Sequence, residues 1–122
     1  MKTVAVIGAS ADRRKFGNIA VRAFRQAGYR VIPINPHESE VEGLRTYPSV
    51  LDVGEPIEMA TVYVPADVGE RVIEEIARKG IKEVWLNPGA ESPQLVAKAR
   101  ALGLTPIQAC SIIGIGLSPS QF

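Results

Sequence analysis

The start of the chain constrains its fold more than any other stretch. An apolar run, Thr3–Ile7, leads directly into the small residues Gly8-Ala9-Ser10, and an amphipathic stretch begins at Phe16. A buried strand that ends in a small-residue turn and feeds a helix leaves free backbone N–H groups at the positive end of the helix dipole. The pattern predicts a strand-turn-helix unit that binds an anionic group such as a phosphate.

A cationic run lies in the same loop, just before the amphipathic stretch. It consists of Arg13, Arg14 and Lys15. Such a run is commonly a solvated surface. Its position before the helix favours contacts to a pyrophosphate, to which lysine offers a point charge and arginine a two-pronged donor.

The composition of the chain excludes several classes of protein. Its 122 residues fit one domain with one core, so we place a single domain over residues 1–122. A net charge of +1 argues against bulk attraction to nucleic acid or membranes. The chain starts with a core strand rather than a signal peptide, and no apolar run reaches the roughly 20 residues that span a bilayer. With a single cysteine, it is expected in a reducing, cytoplasmic compartment.

Strands and helices alternate along the whole chain. The predicted strands are Thr3–Gly8, Tyr29–Ile34, a short Leu44–Tyr47, Ile57–Val64, Lys82–Leu86 and Leu104–Ala109. This order predicts an α/β fold with three layers, a Rossmann-like, doubly wound, mostly parallel sheet in a single domain. Residues 112–122 lack a clear period and either lie over the core or form a contact surface.

Three amphipathic helices are predicted between the strands. The first places Phe16, Ala20, Ala23, Phe24 and Ala27 on one face. Asp67 is predicted to cap the second. Ser92 is predicted to cap the third, with Pro93 at its first position.

Ligands of open α/β sheets bind beyond the carboxyl ends of the strands. Those ends are small, rich in proline and almost uncharged, which favours a groove that binds through backbone over a proton-transfer site. They are Gly8-Ala9-Ser10, Asn35-Pro36, Val64-Pro65, Asn87-Pro88-Gly89 and Ala109-Cys110.

Two of these ends bear on the kind of ligand. The first differs from the G-x-G-x-x-G dinucleotide pattern, because Ser10 replaces the second glycine and the next is Gly17; alternatively, Gly8 serves only a tight turn. At the second, Asn35 stands where an NAD site has an acidic residue, and His37 follows as a donor. This favours a ribose-phosphorylated ligand such as coenzyme A or NADP, although Asn35-Pro36 is equally compatible with an ordinary turn.

With these motifs in order, the chain resembles the CoA-binding domain family over roughly residues 2–110. This Rossmann-like module also forms the first domain of the succinyl-CoA ligase alpha subunit and of related acyl-CoA synthetases. The resemblance rests on Val6–Ser10, Lys15–Gly17, Val31–Pro36, Val84–Gly89 with the following Glu91, and Cys110.

The resemblance implies that coenzyme A or acyl-CoA binds across the strand ends. Gly8, Ala9 and Ser10, together with Lys15, Phe16, Gly17 and Asn18, would hold phosphates, and Arg14 adds charge to the same loop. Asn35 and Pro36 would border the nucleotide, and Val64 and Pro65 would lie along the adenine or the pantetheine. Asn87 to Gly89 would line the far end of the groove.

The sequence contains no recognisable catalytic constellation. The related synthetases use a phosphorylated histidine on a separate domain, whereas His37, the only histidine here, lies in a different segment. No cluster has metal-ligand spacing. We therefore expect a non-catalytic protein that binds coenzyme A and that could also have a protein partner. The alternatives are an NAD(P)-binding oxidoreductase or redox-sensor module and a partner subunit of an acyl-CoA ligase.

Two departures from the family pattern bear on individual residues. His37 replaces the basic residue that often follows the Asn-Pro pair, and Ile107–Ala109 lacks the charged residues often found before the late cysteine. Cys110 is either an inert buried thiol or a thiol that faces the ligand. In the second case, it would form a mixed disulfide with coenzyme A under oxidising conditions.

Overall fold

The computed structural model describes residues 1–122 and contains one main sheet and one small hairpin. The strands are β1 (Thr3–Ile7), β2 (Arg30–Ile34), β3 (Glu40–Val41), β4 (Leu44–Arg45), β5 (Met59–Val62), β6 (Glu83–Leu86) and β7 (Thr105–Gln108). The main sheet has the order β2-β1-β5-β6-β7, and all its neighbouring strands are parallel. The predicted α/β fold with a mostly parallel sheet is confirmed.

Helices cover both faces of this sheet. They are α1 (Phe16–Gln26), α2 (Ala66–Lys79), α3 (Pro93–Ala101) and the short α4 (Ser111–Gly114), with 3₁₀ turns at Val50–Asp52 and Pro119–Gln121. Successive side chains of a strand point to opposite faces. Val4 and Val6 of β1 accordingly enter the core shared with α1 and α4, whereas Ala5 and Ile7 enter the core shared with α2 and α3. The three predicted layers follow from this division.

The strand order reverses between β1 and β5. From β1 the chain moves outward to β2, then crosses back to β5 and continues outward through β6 to β7. The loops that leave β1 and β5 therefore diverge, and a crevice opens between them at the carboxyl edge. The loop after β1, which the sequence predicts to bind an anionic group, borders this crevice.

The connection from β2 to β5 contains a hairpin where the sequence predicts one short strand. Glu42 and Gly43 join β3 to β4, with φ of 50° and 77°. Positive φ at both residues suits a two-residue hairpin turn. Tyr47 then forms a single parallel bridge with Ile34.

The predicted helix caps have different outcomes. Ser92 caps α3 as predicted, because its hydroxyl accepts from the Leu95 N–H at 3.0 Å and Pro93 is the first helical residue. The prediction that Asp67 caps α2 is wrong: the cap position is Pro65, which has no side-chain cap bond. Asp67 lies in the first turn instead, where its charge interacts favourably with the helix dipole.

The last residues lie over the core on the α1 side. Ile112 is completely buried there, and Leu117 and Phe122 pack against the same cluster. The guanidinium carbon of Arg22 lies 5.9 Å from the centre of the Phe122 ring. Ile113, 64% exposed, is the large apolar side chain of this segment that faces solvent.

None of the helices combines the length and the apolar content that crossing a membrane requires.

Candidate functional site

The five strand ends predicted to carry the site share one edge of the molecule. Because all strands of the main sheet run parallel, the loops that follow them emerge together at the carboxyl edge. The first loop, between β1 and α1, contains Gly8 to Lys15. It contributes most of the backbone and charge at this edge.

Two glycines allow the first loop to lie close to its neighbours. Gly8 has φ of 91°, and a Cβ there would lie 2.9 Å from the backbone of Tyr63, directly after β5. A Cβ on Gly17 would lie only 2.1 Å from the carbonyl oxygen of Gly8. Gly17 thus has the same role as the third glycine of a dinucleotide motif: it allows the start of α1 to pack closely against the preceding turn.

The first turn of α1 is open to an anion. It has no side-chain cap and no acidic residue, and the N–H groups of Phe16 and Gly17 donate to no acceptor in the chain. By contrast, α2 has Asp67 in its first turn and α3 is capped by Ser92. The turn therefore offers free donors at the positive end of a helix dipole.

Lys15 directly precedes this turn. Its side chain takes part in none of the ion pairs or side-chain hydrogen bonds of the structure, whereas the neighbouring Arg13 pairs with Glu42 at 3.4 Å. The free ammonium group adds to the field of the helix dipole at the same point.

Arg14 is held by its own loop. Its guanidinium donates to both carboxylate oxygens of Asp12 at 3.0 Å, while Ser10 accepts from the Asp12 N–H at 3.1 Å. The hydrogen bonds from Arg14 lower the pKa of Asp12 to about 2. A phosphate would compete with Asp12 for Arg14 but would meet Lys15 without competition.

Asn18 has its side chain inside the framework. Its amide nitrogen donates to the Ser10 carbonyl at 2.9 Å and to Glu42 at 3.1 Å, and its oxygen accepts from Arg22 at 2.7 Å. The amide ties α1 to the first loop, and it is completely buried. The structure thus shows the Asn18 side chain holding the first loop, and its part in phosphate binding stays a prediction.

Asn35 also holds the first loop. Its amide nitrogen donates to the carbonyl oxygen of Ala9 at 2.8 Å, and its oxygen accepts from the N–H of His37 at 2.7 Å. The Ala9 side chain is buried, whereas Pro36 and His37 are exposed beside the loop. Glu38 accepts from the Ala11 N–H at 2.6 Å. Its carboxylate therefore lies beside the first loop, where the sequence did not predict one.

Two adjoining cavities lie between the start of α1 and the loops after β5 and β6, and Phe16, Tyr63 and Pro88 line both of them. The Cys110 cavity, as we name it here, has a volume of about 210 Å³ and is lined by Phe16, Tyr63, Asn87, Pro88, Cys110 and Pro119. The open cavity, about 250 Å³, is lined by Phe16, Tyr63, Val64, Pro65, Pro88, Gly89 and Ala90. Phe16 was predicted to lie with the buried face of α1, yet its side chain is 58% exposed between the two cavities.

A buried polar network supports the floor of these cavities. The Asn87 amide nitrogen donates to the Thr61 hydroxyl at 2.7 Å, and its oxygen accepts from the Ser111 N–H at 2.9 Å. The Ser111 hydroxyl contacts those of Thr61 at 2.7 Å and Tyr63 at 3.1 Å. Burial raises the pKa of Tyr63, which stays neutral at physiological pH.

A larger concavity lies apart from the first loop. It measures about 570 Å³ and lies beside α3, where Glu91, Ser92, Arg100 and Gln108 contribute polar groups. None of the predicted site residues lines it. The two smaller cavities are therefore the better candidates for a site, because they lie at the switch point of the sheet.

Three residues lie at the candidate site without having been predicted there: Glu38, Tyr63 and Pro119. The sequence could have indicated Glu38 and Tyr63, since each lies within a few residues of a predicted strand end. It could not have indicated Pro119, because only the folding of the last segment back over α1 brings it to the cavity.

The topology defines a Rossmann-like α/β domain with a groove at its switch point. The family model for the CoA binding domain matches residues 2–115, so the chain belongs to this family. Similar proteins include the alpha subunit of ADP-forming acetate–CoA ligase I from Pyrococcus furiosus, which is 33% identical over 136 aligned positions; the match covers 98% of this chain and 29% of that subunit.

Solved structures show the same fold. A conserved hypothetical protein from Pyrococcus furiosus superposes with a TM-score of 0.87 at 31% identity, covering 93% of this chain and 99% of that one. An acetyl-coenzyme A synthetase from Ca. Korarchaeum cryptofilum superposes with a TM-score of 0.77 at 30% identity, covering 88% of this chain and 26% of the synthetase. The chain thus spans less than a third of the length of these ligase relatives.

Proposed function

We propose that this chain binds coenzyme A along the carboxyl edge of its sheet and serves as a binding module without catalysis of its own. The observation that carries the proposal is the open first turn of α1, with free N–H groups at Phe16 and Gly17 and an unpaired Lys15 before it. A diphosphate matches this arrangement of donors and charge. Membership of the CoA binding domain family supports coenzyme A as the ligand.

The order of the strands suggests how the ligand lies. The nucleotide would border Asn35 and Pro36 after β2, the diphosphate would meet the start of α1, and the pantetheine would run past Val64, Pro65 and Gly89. From β2 to β7 the sheet has four strand spacings, which together cover about 19 Å. A groove of this length suits an extended ligand rather than a compact one.

The polar side chains around the groove support binding rather than catalysis. Asn18, Asn35 and Asn87 are committed to bonds within the framework. Such residues fix the shape of a site, but they are not placed to move a proton on a ligand.

Calorimetric titration with coenzyme A, acetyl-CoA, NAD and NADP tests the proposal. Lys15→Ala should weaken the binding of coenzyme A by about 1–3 kcal/mol, since it removes a charged contact to a phosphate. Lys82→Ala is the matched control, because Lys82 is exposed at the amino end of β6, on the opposite edge. Micromolar binding of NAD together with no binding of coenzyme A would overturn the proposal in favour of a nicotinamide-binding module.

A second candidate function is that of a partner subunit in an acyl-CoA ligase. It is favoured by the relative from Pyrococcus furiosus, which is named as a ligase alpha subunit and of which this chain covers 29%. The test is a pull-down from the source organism with and without coenzyme A. Capture of a chain that matches the remaining part of the ligase relatives would support this role. Failure to capture one would remove it and leave the binding proposal intact.

A further inference from the structure

The Cys110 cavity differs in character from the open cavity beside it. It is the more enclosed of the two, and its accessible lining is mostly apolar. It lies under the carboxyl ends of β6 and β7, with Cys110 after β7 and Pro119 of the last 3₁₀ turn in its wall. In the strand order, this is the end of the groove farthest from Asn35 and Pro36 after β2.

The polar residues that line this cavity have their hydrogen bonds elsewhere. Asn87 uses both ends of its amide within the framework, donating to Thr61 and Val62 and accepting from Ser111. The Tyr63 hydroxyl is bonded to Ser111. No buried side-chain nitrogen or oxygen of the protein lacks a partner, so the side chains of the wall leave no buried polar atom for a ligand to satisfy. An apolar occupant is favoured, because a polar one would lose its hydrogen bonds to water without replacement.

We infer that this cavity takes the acyl chain of a coenzyme A thioester, and that the preferred chain is a short aliphatic one. The inference rests on the proposed function, because the thioester must reach the cavity from a diphosphate held at α1. An apolar cavity of about 150 Å³ can hold benzene. The cavity here, about 210 Å³, is large enough for a chain of about four to six carbons.

An adenine ring fits this cavity less well than an alkyl chain. Adenine carries donors and acceptors at its edges, whereas the amide of Asn87 and the hydroxyl of Tyr63 already have partners within the framework. The experiment that tests the inference therefore also includes a ligand that carries adenine without the pantetheine arm.

Calorimetry with a graded series of ligands tests the inference: 3′,5′-ADP, coenzyme A, acetyl-CoA, butyryl-CoA and palmitoyl-CoA. Each buried methylene should tighten binding about fourfold, so butyryl-CoA should bind on the order of tenfold more tightly than acetyl-CoA. Palmitoyl-CoA should gain little further, because its chain exceeds the cavity. Butyryl-CoA binding no more tightly than coenzyme A would overturn the inference and leave the proposed function standing, whereas no binding of any ligand would defeat the proposed function itself.

Two variants locate the effect in this cavity. Cys110→Leu fills part of the space and should abolish the preference for butyryl-CoA over acetyl-CoA. Cys110→Ala enlarges the space and should move the preference toward longer chains. Retained binding of coenzyme A shows that each variant is folded; if Cys110→Leu misfolds, the result for Cys110→Ala decides.

Weaker binding of 3′,5′-ADP by Cys110→Leu would place the adenine in the cavity and overturn the inference. An unchanged acyl preference in both variants would also overturn it, because the chain would then lie elsewhere.

Discussion

The contact between α1 and the first loop depends on Gly17. Because a Cβ at this position would lie 2.1 Å from the Gly8 carbonyl oxygen, which is backbone, either the helix or the loop must move to accept it. Gly17→Ala should lower the free energy of unfolding by about 1–3 kcal/mol and weaken the binding of coenzyme A as well. Urea denaturation and calorimetry measure the two effects.

Gly69 provides the matched control for this substitution. It too lies near the start of a helix, but a Cβ there would meet only the end of the Leu95 side chain, at 3.0 Å. Gly69→Ala should therefore cost little, since a flexible side chain can yield and alanine favours the helix. Equal stability of Gly17→Ala and the unchanged chain would contradict the close approach.

The pair formed by Asp12 and Arg14 gives the first loop a measurable pH response. Hydrogen bonds from Arg14 lower the pKa of Asp12 from 3.8 to about 2. Because the pKa is lower in the folded state, the pair stabilises the loop fully above pH 3.8, and this contribution is lost as the pH falls through about 2. An NMR titration of the side-chain carboxyl carbon should show a midpoint near 2, which Arg14→Ala should move back toward 3.8.

Arg13→Ala is the control for that titration, because Arg13 pairs with Glu42 rather than with Asp12. A midpoint near 3.8 in the unchanged chain would show that the Asp12–Arg14 pair does not persist in solution.

At the scale of elements, Asn87 joins the end of β6 to β5 and to the start of α4. Its amide donates to Thr61 and Val62 and accepts from Ser111. Asn87→Ala should cost about 2–3 kcal/mol of unfolding free energy, because it leaves the buried Ser111 N–H without an acceptor. Thermal and urea unfolding measure the loss. Gln94→Ala, which removes an exposed amide on α3, should be nearly neutral, and a comparable cost for both changes would refute the special role of Asn87.

The elements that the sequence predicts well are those whose signals are local. The strand ends at Gly8, Asn35 and Asn87 follow from apolar runs that stop at small residues, and the Ser92 cap follows from its own hydroxyl beside Pro93. The start of α2 is different, because its cap position is Pro65, whose side chain offers no acceptor to the first turn.

What the sequence could not show depends on tertiary packing. Residues 112–122 carry no period because their apolar side chains pack against the core on the α1 side of the sheet. This packing buries Ile112 and brings Pro119 to the Cys110 cavity. The hairpin at Glu42 and Gly43 likewise depends on a pair of positive φ angles, one of them at a non-glycine residue. Local sequence patterns thus predicted the position of the groove at the strand ends. Which residues form its walls became clear only from the folded structure.

At the scale of the whole molecule, most cations near the first loop are neutralised by an acidic neighbour. Arg13 pairs with Glu42 at 3.4 Å and Arg14 pairs with Asp12 at 3.0 Å. Lys15 has no acidic partner and lies directly before the open first turn of α1. With a net charge of only +1, the molecule as a whole attracts a polyanion weakly, so recognition must come from this local field and the helix start.

Ligand-linked stability tests that conclusion. Coenzyme A at 100 times its Kd should stabilise the fold by about 2.7 kcal/mol, which for a chain of this size raises Tm by about 10 °C. Pantetheine at the same concentration should produce a much smaller shift, because it lacks the phosphates that the start of α1 would hold. Added salt should reduce the shift caused by coenzyme A, since an exposed lysine–phosphate contact is screened. Equal shifts for pantetheine and coenzyme A, or a shift insensitive to salt, would mean that affinity arises in the apolar cavities and not at the first turn of α1.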